Sequence, residues 1–332
     1  MKKLRITVFA DPVCTWCWGS APVLRALEYR LGDMVEIDYV MCGMIEDIRT
    51  FINRRLNIGG DAALSNRNMM KAWLEASVVH GMPVQEHGFH LFSDEYPSSF
   101  PQNMAYLTAK LCCRQDEHGE PDMKRVNRYL RRVQEATAAE AVMTSRADVL
   151  ADLAAVEGYD PQDFAQTFAS DAVKKAFIAD RERARSYDVE AFPTFLLEYD
   201  GREAKLSGYT TFNAMVSEIA TLSGGRLKPL LMGKGENAER CSLTVRNVKR
   251  FVEHYGSAYP VEIATAFGLV RRAGRTAVNI ESYEQFPDVI DELLKSAEVG
   301  MAPKANSFMI YNLKDKKGFS QEREHELHHS WS

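Results

Sequence analysis

The sequence predicts an α/β fold whose sheet is interrupted by a large all-helical lobe and followed by a smaller α+β domain. Three observations favour this fold class. Residues 4–41 read as strand, helix and strand, residues 45–186 show no lasting strand pattern, and a hairpin pattern follows residue 193. The chain has 332 residues, of which 45% are hydrophobic, and this length exceeds what one core usually holds.

The elements of the first domain, predicted at 1–225, follow from their residue patterns. Residues 4–10 and 35–41 are apolar enough for strands, and helical spacing runs from Cys14 to Leu31. A further strand is expected over Thr194–Tyr199, followed by an Asp-Gly turn, a returning strand and a last helix.

Helix-start signals divide the stretch of about 45–186 into five or six helices. These signals are Ser, Asp and Pro residues, which favour the first helical positions. They lie at Ser98-Ser99, Pro121, Ser145 or Asp148, Asp160-Pro161 and Asp171.

A second domain is predicted at 241–320, after a linker at 226–240 that is rich in Gly, Lys and Arg. Three helical patterns precede a hairpin pattern around Pro303, which is the element order of a winged-helix module. The polar residues 321–332 are expected to form a flexible tail.

Composition excludes several classes of function. The net charge of −5 gives no whole-chain case for binding nucleic acid or an anionic membrane. No apolar run approaches the roughly 20 residues that a membrane helix needs. Six cysteines are too few for a disulfide scaffold, and the first apolar stretch is too short for a secretory signal. We therefore expect a cytoplasmic protein.

The stretch "DPVCTWCWG" places Cys14 and Cys17 three residues apart, just after the first predicted strand. A helix start lowers the pKa of a cysteine, and a second thiol one turn away can resolve a mixed disulfide. A redox pair is the favoured interpretation. A zinc site, which needs two further ligands, and two inert thiols remain open alternatives.

A distant proline supports the redox interpretation. Pro193 directly precedes a predicted strand, and a cis proline there can turn the backbone of Phe192 toward a dithiol. The plainer alternative is that Pro193 only begins the strand.

Taken together, Asp11 to Trp18, the helical lobe and Phe192-Pro193-Thr194 resemble the DsbA-like branch of the thioredoxin superfamily. The resemblance covers roughly residues 4–224 and is greatest to its cytoplasmic protein-disulfide oxidoreductases and isomerase-like proteins. It implies that Cys14 is the nucleophile, Cys17 the resolving thiol and Pro193 the cis proline. Because Thr15 and Trp16 replace the histidine of the periplasmic enzymes, we expect a mild dithiol that works as reductase or isomerase.

Proteins of the same fold have other functions, and one of these remains an alternative for this chain. Kappa-type glutathione transferases and hydroxychromene-carboxylate isomerases usually lack the second thiol. Thioredoxin-like adaptors that deliver a partner protein to a protease can keep both cysteines without using them. The alternative function is therefore a non-catalytic adaptor, with a partner protein bound through the C-terminal domain.

The remaining site residues lie around the two cysteines. Asp11 is expected either to move a proton to or from Cys17 or to cap the turn at Pro12. Four residues are expected to contact a protein substrate or a small thiol or disulfide. These are Thr15, Trp16, Trp18 and Phe192. No cofactor and no metal are expected.

Three further patterns are set aside on physical grounds. The HExxH pattern at His325–His329 lies in the charged tail, where no third zinc ligand is expected. The helix in the DNA-recognition position, Glu281–Lys295, carries five carboxylates and one lysine, which argues against binding to phosphates. His80, His87 and His90 form a loose group that is more typical of incidental loop residues than of a site.

Overall fold

A four-stranded mixed sheet forms the centre of the first domain. The computed structural model describes residues 2–113, 122–270, 286–296 and 298–314. The strands are β1 Leu4–Ala10, β2 Val35–Met41, β3 Thr194–Tyr199 and β4 Arg202–Ser207. Their order is β2-β1-β3-β4, with β1 parallel to β2 and antiparallel to β3, and with β3 antiparallel to β4. The mixed α/β fold predicted from the sequence is confirmed.

The helical stretch after β1 is two helices rather than one. They are α1 Thr15–Trp18 and α2 Ala21–Leu31. Pro22 lies in the first turn of α2 and has no N–H to donate to the carbonyl of Trp18. The continuous helix predicted from Cys14 onward is therefore wrong at this point, and the break lets the cysteine motif sit apart from α2.

Six helices of the described residues form the lobe between β2 and β3. They are α3 Ala62–His80, α4 Phe100–Cys112, α5 Met123–Ala139, α6 Ala147–Val156, α7 Pro161–Phe168 and α8 Asp171–Ser186. The helical insertion is thereby confirmed, although α3, which begins after Asp61, was not among the predicted helices. Pro121 lies outside the described residues.

The C-terminal elements form a small α+β unit. Helix α9 Phe212–Leu222 closes the first domain. The elements that follow are α10 Lys228–Leu231, α11 Val245–Tyr255, β5 Ser257–Ala258, α12 Pro260–Ala266, α13 Phe286–Lys295, β6 Val299–Lys304 and β7 Ser307–Asn312. The strands pair antiparallel in the order β5-β7-β6. The winged-helix type of this unit stays a prediction.

Several predictions for the C-terminal part fall outside the described residues. They concern the start of the helix expected over 281–295, the HExxH pattern and the tail.

The segment predicted as a linker is packed against α2. Leu227 and Leu231 are buried in the same core as the sheet. The guanidinium of Arg30 in α2 donates to the carbonyl of Leu231 at 2.5 Å and to that of Ala266 at 2.9 Å. Residues 226–240 are therefore not a free linker. Their two buried leucines supply apolar surface that α2 covers.

A buried ionic contact joins the C-terminal unit to the rest of the chain. The Glu262 carboxylate in α12 is fully buried and accepts from Arg25 of α2 at 3.2 Å and from Arg131 of α5 at 2.9 Å. The hydroxyl of Tyr259 donates to Glu135. The two parts thus share a polar interface as well as an apolar one. None of the helices in the described ranges is long and apolar enough to cross a bilayer.

Candidate functional site

Cys14 lies at the junction between β1 and α1. Its backbone N–H donates to the carbonyl of Asp11 at 3.0 Å, and its carbonyl accepts from Trp18 at 3.0 Å. Cys14 is the residue that caps the start of α1, and its side chain is 7% exposed. The sulfur therefore stands at the first turn of a helix in a nearly buried residue, and Cys17 is equally buried at 6% exposure.

Cys17 lies one turn further into α1, behind Cys14. Both cysteines are free thiols. Burial raises the pKa of the Cys17 thiol well above its usual value, and the adjacent Cys14 raises it further. Cys17 is therefore protonated at neutral pH when the pair is reduced. The two thiols have different surroundings, as a nucleophile and a resolving thiol require.

The loop before β3 faces the cysteine motif. The Cys14 thiol donates to the carbonyl oxygen of Phe192 at an Sγ–O distance of 3.7 Å. The Phe192–Pro193 peptide bond is cis, and the carbonyl of Pro193 accepts from Gly208 at 2.8 Å. Phe192 is partly buried and packs against the sheet core that contains both cysteines.

Asp11 is a fully buried carboxylate that organises the loops around the motif. Its Oδ1 accepts from the backbone N–H of Val13 at 2.9 Å. Its Oδ2 accepts from the Met44 N–H at 2.6 Å, from the Asn103 amide at 2.9 Å and from the Ser99 hydroxyl at 3.3 Å. Burial raises its pKa, although these hydrogen bonds oppose the shift.

Asp11 also influences Cys17. The charge of its carboxylate is among the factors that raise the pKa of Cys17, although burial and Cys14 matter more. The contact with Val13 agrees with a turn-capping role for Asp11. Proton transfer through Asp11 stays a prediction.

Thr15 and Trp16 contact a histidine from the helical lobe. The Thr15 hydroxyl lies 3.3 Å from Nε2 of His80, and the Trp16 ring meets the His80 ring edge-on at 5.9 Å. Trp16 also packs beside Tyr209 at a centroid distance of 5.6 Å. His80 therefore lies beside the two residues that separate the cysteines.

Sequence reasoning set His80 aside as an incidental loop residue. It is the last residue of α3 and is fully buried. Two signals mark this helix: Asp61 as its cap, and Gly81, whose φ of 78° ends it. Apolar residues at helical spacing between them, such as Met69, Trp73 and Ala76, complete the pattern.

Trp18 points away from the cleft. It is 1% exposed, its Nε1 donates to the carbonyl of Pro83 at 2.9 Å, and its ring meets Tyr259 at 6.0 Å. This burial argues against the expected contact between Trp18 and substrate. The indole instead joins the cysteine motif to the lobe and to the C-terminal unit.

An apolar groove of about 340 Å³ opens in front of Cys14. One wall is Val13 to Trp16, and the opposite wall is helix α3 with residues 51–58. Apolar side chains line most of it, together with four polar residues. These are Thr15, Asn53, Arg55 and Glu75. Because α3 was not predicted, the groove could not be expected from the sequence.

In the described part of the chain, no three side chains of His, Cys, Asp or Glu lie close enough together to hold a metal ion. The zinc alternative for Cys14 and Cys17 thus finds no support among those residues.

Known proteins resemble this chain in sequence. A family model described as thioredoxin matches residues 7–217. A ClpXP adapter protein SpxH from Halalkalibacterium halodurans is 24% identical over 271 residues, which cover 81% of this chain and 79% of the relative. The SpxH protein of Bacillus subtilis is 24% identical over 231 residues, covering 69% of this chain and 70% of the relative.

Solved structures resemble the chain in fold. A candidate protein disulfide isomerase from Nitrosomonas europaea has a TM-score of 0.54 at 18% identity, covering 68% of this chain and 99% of that one. A probable DsbA oxidoreductase from Streptomyces coelicolor has a TM-score of 0.50 at 16% identity, covering 67% and 91%. The chain therefore belongs to the thioredoxin family and has the DsbA-like fold, in which a helical lobe is inserted into the sheet.

Proposed function

We propose that this protein is a thiol–disulfide oxidoreductase or isomerase that acts through Cys14 and Cys17. The observation that carries the proposal is the asymmetry of the pair. Cys14 opens on an apolar groove beside the Phe192 carbonyl, whereas Cys17 is buried behind it with a raised pKa. Dithiol exchange needs one accessible thiol and one that reacts second.

The reaction proceeds in two exchanges. The Cys14 thiolate attacks one sulfur of a substrate disulfide, forming a mixed disulfide and releasing the other substrate sulfur as a thiolate that takes up a proton. Cys17 then loses its proton and attacks the Cys14 sulfur, which releases the second substrate thiol. The substrate gains two electrons and the protein becomes a Cys14–Cys17 disulfide. A dithiol or two thiols reverse the process.

The groove indicates how a protein or small disulfide substrate would bind. Trp16 and Cys14 lie on one of its walls, and the Phe192 carbonyl stands next to the sulfur. An extended substrate chain on either side of the reacting disulfide can place its apolar side chains in the groove. Cys14 and Cys17 need no cofactor for this chemistry, and the cytoplasmic location stays a prediction.

Trapping of the mixed disulfide tests the proposal. In Cys17→Ser, the intermediate on Cys14 cannot be resolved, so we expect disulfide-linked adducts with glutathione or a peptide disulfide. Cys14→Ser is the matched control and should form none at this site. If Cys14→Ser retains wild-type rates of insulin reduction or disulfide shuffling, the proposal fails.

A second candidate is an adaptor for a protease such as ClpXP. It is favoured by the SpxH relatives, which are named as ClpXP adapters. The match to the Halalkalibacterium protein covers 81% of this chain, so it extends past residue 225 into the C-terminal unit. A protein that presents a partner would keep the fold and the C-terminal unit without needing exchange.

The two candidates differ in the activity that remains after both cysteines are substituted. The doubly substituted Cys14→Ser/Cys17→Ser chain should lose all disulfide exchange. An adaptor would still bind a stable partner and speed its degradation by ClpXP in a purified mixture. An empty Cys17→Ser trap together with accelerated degradation would favour the adaptor, and the opposite pair of results would favour the oxidoreductase.

A further inference from the structure

A short segment at 81–85 lies between the cysteine motif and the C-terminal unit. Three hydrogen bonds hold this segment from three directions. Trp18 donates to the carbonyl of Pro83 at 2.9 Å, Gln85 donates to the carbonyl of Ala138 in α5 at 2.8 Å, and Val84 donates to Oδ1 of Asn306 at 3.0 Å. We call residues 81–85 the strap.

Asn306 lies in the turn between β6 and β7 and binds the lobe with both ends of its amide. Its Oδ1 accepts the N–H of Val84, and its Nδ2 donates to the Ser77 hydroxyl at 3.4 Å. Ser77 in turn donates to the carbonyl of Leu74 at 2.7 Å. One side chain of the C-terminal hairpin therefore fixes both the last turn of α3 and the strap that follows it.

His80 lies between these two fixed points. The backbone N–H of Met82, in the strap, donates to Nδ1 of His80 at 3.1 Å. Nδ1 is therefore an acceptor, so the ring proton lies on Nε2 and is donated to the Thr15 hydroxyl at 3.3 Å. The orientation of His80 toward the motif thus depends on the position of the strap.

The packing leaves His80 little freedom. A Cβ atom on Gly19 would overlap the His80 ring and lie 2.7 Å from its Cβ, so the ring fills the space above the motif. Val84 is fully buried, whereas Asn306 is exposed at the hairpin turn. Without the Asn306 side chain, the Val84 N–H binds water that enters at the turn or moves to another acceptor, and in both cases the strap loses this link to the hairpin.

We propose that Asn306 is a positioning residue of the dithiol site: it holds the strap and the end of α3, and thereby sets His80 against Thr15, next to Cys14. The C-terminal hairpin is then part of the redox site, although it does not touch either cysteine. The inference rests on the proposed function for its chemical consequence. Its structural consequence can be measured separately.

The test compares Asn306→Ala and Ser77→Ala with Met301→Ala in the complete chain. Met301 lies in the same hairpin and is exposed, so it is the matched control. We expect Asn306→Ala to speed amide hydrogen exchange of residues 15–19 at least threefold. We also expect it to change the rate of Cys14 alkylation, followed by peptide mass spectrometry, at least threefold. Met301→Ala should change neither, and Ser77→Ala should show a smaller effect in the same direction.

A redox readout separates positioning from simple stabilisation. The equilibrium constant of the Cys14–Cys17 pair with glutathione should change at least threefold in Asn306→Ala. In His80→Gln/Asn306→Ala it should change no more than in His80→Gln alone, because Asn306 acts through His80. A lower melting temperature with unchanged exchange, alkylation and redox equilibrium would overturn the inference.

Failure of the oxidoreductase proposal can be distinguished from failure of the positioning role of Asn306. If the wild-type pair forms no disulfide with glutathione or a peptide disulfide, the oxidoreductase proposal fails. Amide exchange of residues 15–19 and alkylation of Cys14 then decide the positioning role by themselves, with the same threefold criterion.

Discussion

The Cys14 thiol and the Phe192 carbonyl oxygen lie 3.7 Å apart although 178 positions separate them in the chain. Strand pairing explains this proximity. Phe9 near the end of β1 is opposite Thr194 at the start of antiparallel β3, so both loops leave the sheet at the same edge. The helical lobe can be inserted between β2 and β3 without moving the two loops apart. The sheet register therefore brings the sulfur and the carbonyl together.

The first prediction concerns the pH dependence of the resolving step. Burial, which persists when Cys14 is held in a mixed disulfide, raises the pKa of Cys17, so its thiolate fraction at neutral pH is small and should grow about tenfold per pH unit. The attack of Cys17 on a mixed disulfide at Cys14 should accelerate in the same proportion between about pH 6 and about pH 8. Stopped-flow measurement of the second thionitrobenzoate released after reaction with Ellman's reagent follows this step.

Cys17→Ser is the control for this measurement, since its Cys14 should release only the first thionitrobenzoate, and the release from the other four cysteines is common to both proteins and is subtracted. A rate of the second release that levels off below neutral pH would contradict a raised pKa of Cys17.

The second prediction concerns Asp11 and stability. Its pKa is higher in the folded protein than in the unfolded chain, so the folded state binds the proton more tightly. The resulting stabilisation is fully present below the unfolded pKa and is lost as pH rises through the folded pKa. The free energy of unfolding of the wild type relative to Asp11→Asn should therefore increase as pH falls from about 7 to about 4. Urea denaturation at a series of pH values measures it.

Asp47→Asn serves as control, because the difference in unfolding free energy between the wild type and this variant should change with pH in the opposite direction. Hydrogen bonds from Arg49 lower the pKa of Asp47, so the wild type should lose its advantage over this variant as pH falls. Equal pH slopes for the two variants would contradict the assignment.

The third prediction concerns the interface between the C-terminal unit and the rest of the chain. Glu262→Gln leaves the buried guanidinium groups of Arg25 and Arg131 without a carboxylate. Breaking a buried ion pair in this way costs about 3–5 kcal/mol of unfolding free energy. Asp171→Asn, which loses only an exposed contact with Lys174, should cost less than about 1 kcal/mol. If both variants unfold at the same urea concentration, the buried contact does not stabilise the chain.

Much of the fold follows from local patterns. β1 is buried except at Arg5, and β2 alternates polar and apolar residues through Glu36 and Asp38 before its apolar end. The starts at Asp160-Pro161 and Asp171 mark helices α7 and α8. The cysteine pair was found because its spacing is a local feature. Helix α3 was not predicted, because polar residues such as Ser65 and Asn66 interrupt its apolar face although they are buried.

The rest depends on contacts between distant segments, which one sequence does not reveal. Whether Trp16 or Trp18 meets the cleft is decided by Tyr259 and Pro83, which cover Trp18. The role of His80 depends on the strap and on Asn306. The segment 226–240 has the composition of a linker, but two leucines at suitable spacing are enough to anchor it on α2.

The last prediction tests the contact between His80 and the cysteine motif by overpacking. Gly19 has φ −63° and ψ −14°, which any residue adopts, so alanine there meets no backbone strain. Its new Cβ would collide with the His80 ring. Gly19→Ala should therefore lower the free energy of unfolding by about 1–3 kcal/mol, measured by urea denaturation.

His80→Ala removes the obstructing ring but keeps the Cβ atom, which would still lie 2.7 Å from the new Cβ, so it should relieve only part of the collision. In Gly19→Ala/His80→Ala, the alanine at position 19 should therefore cost less than it does in the wild type, and the two substitutions should couple by about 0.5–3 kcal/mol. Simple additivity of the two single variants would mean that His80 does not occupy the space above Gly19. Because the same ring position presents Nε2 to Thr15, coupling in this cycle should accompany a changed alkylation rate of Cys14 in Gly19→Ala.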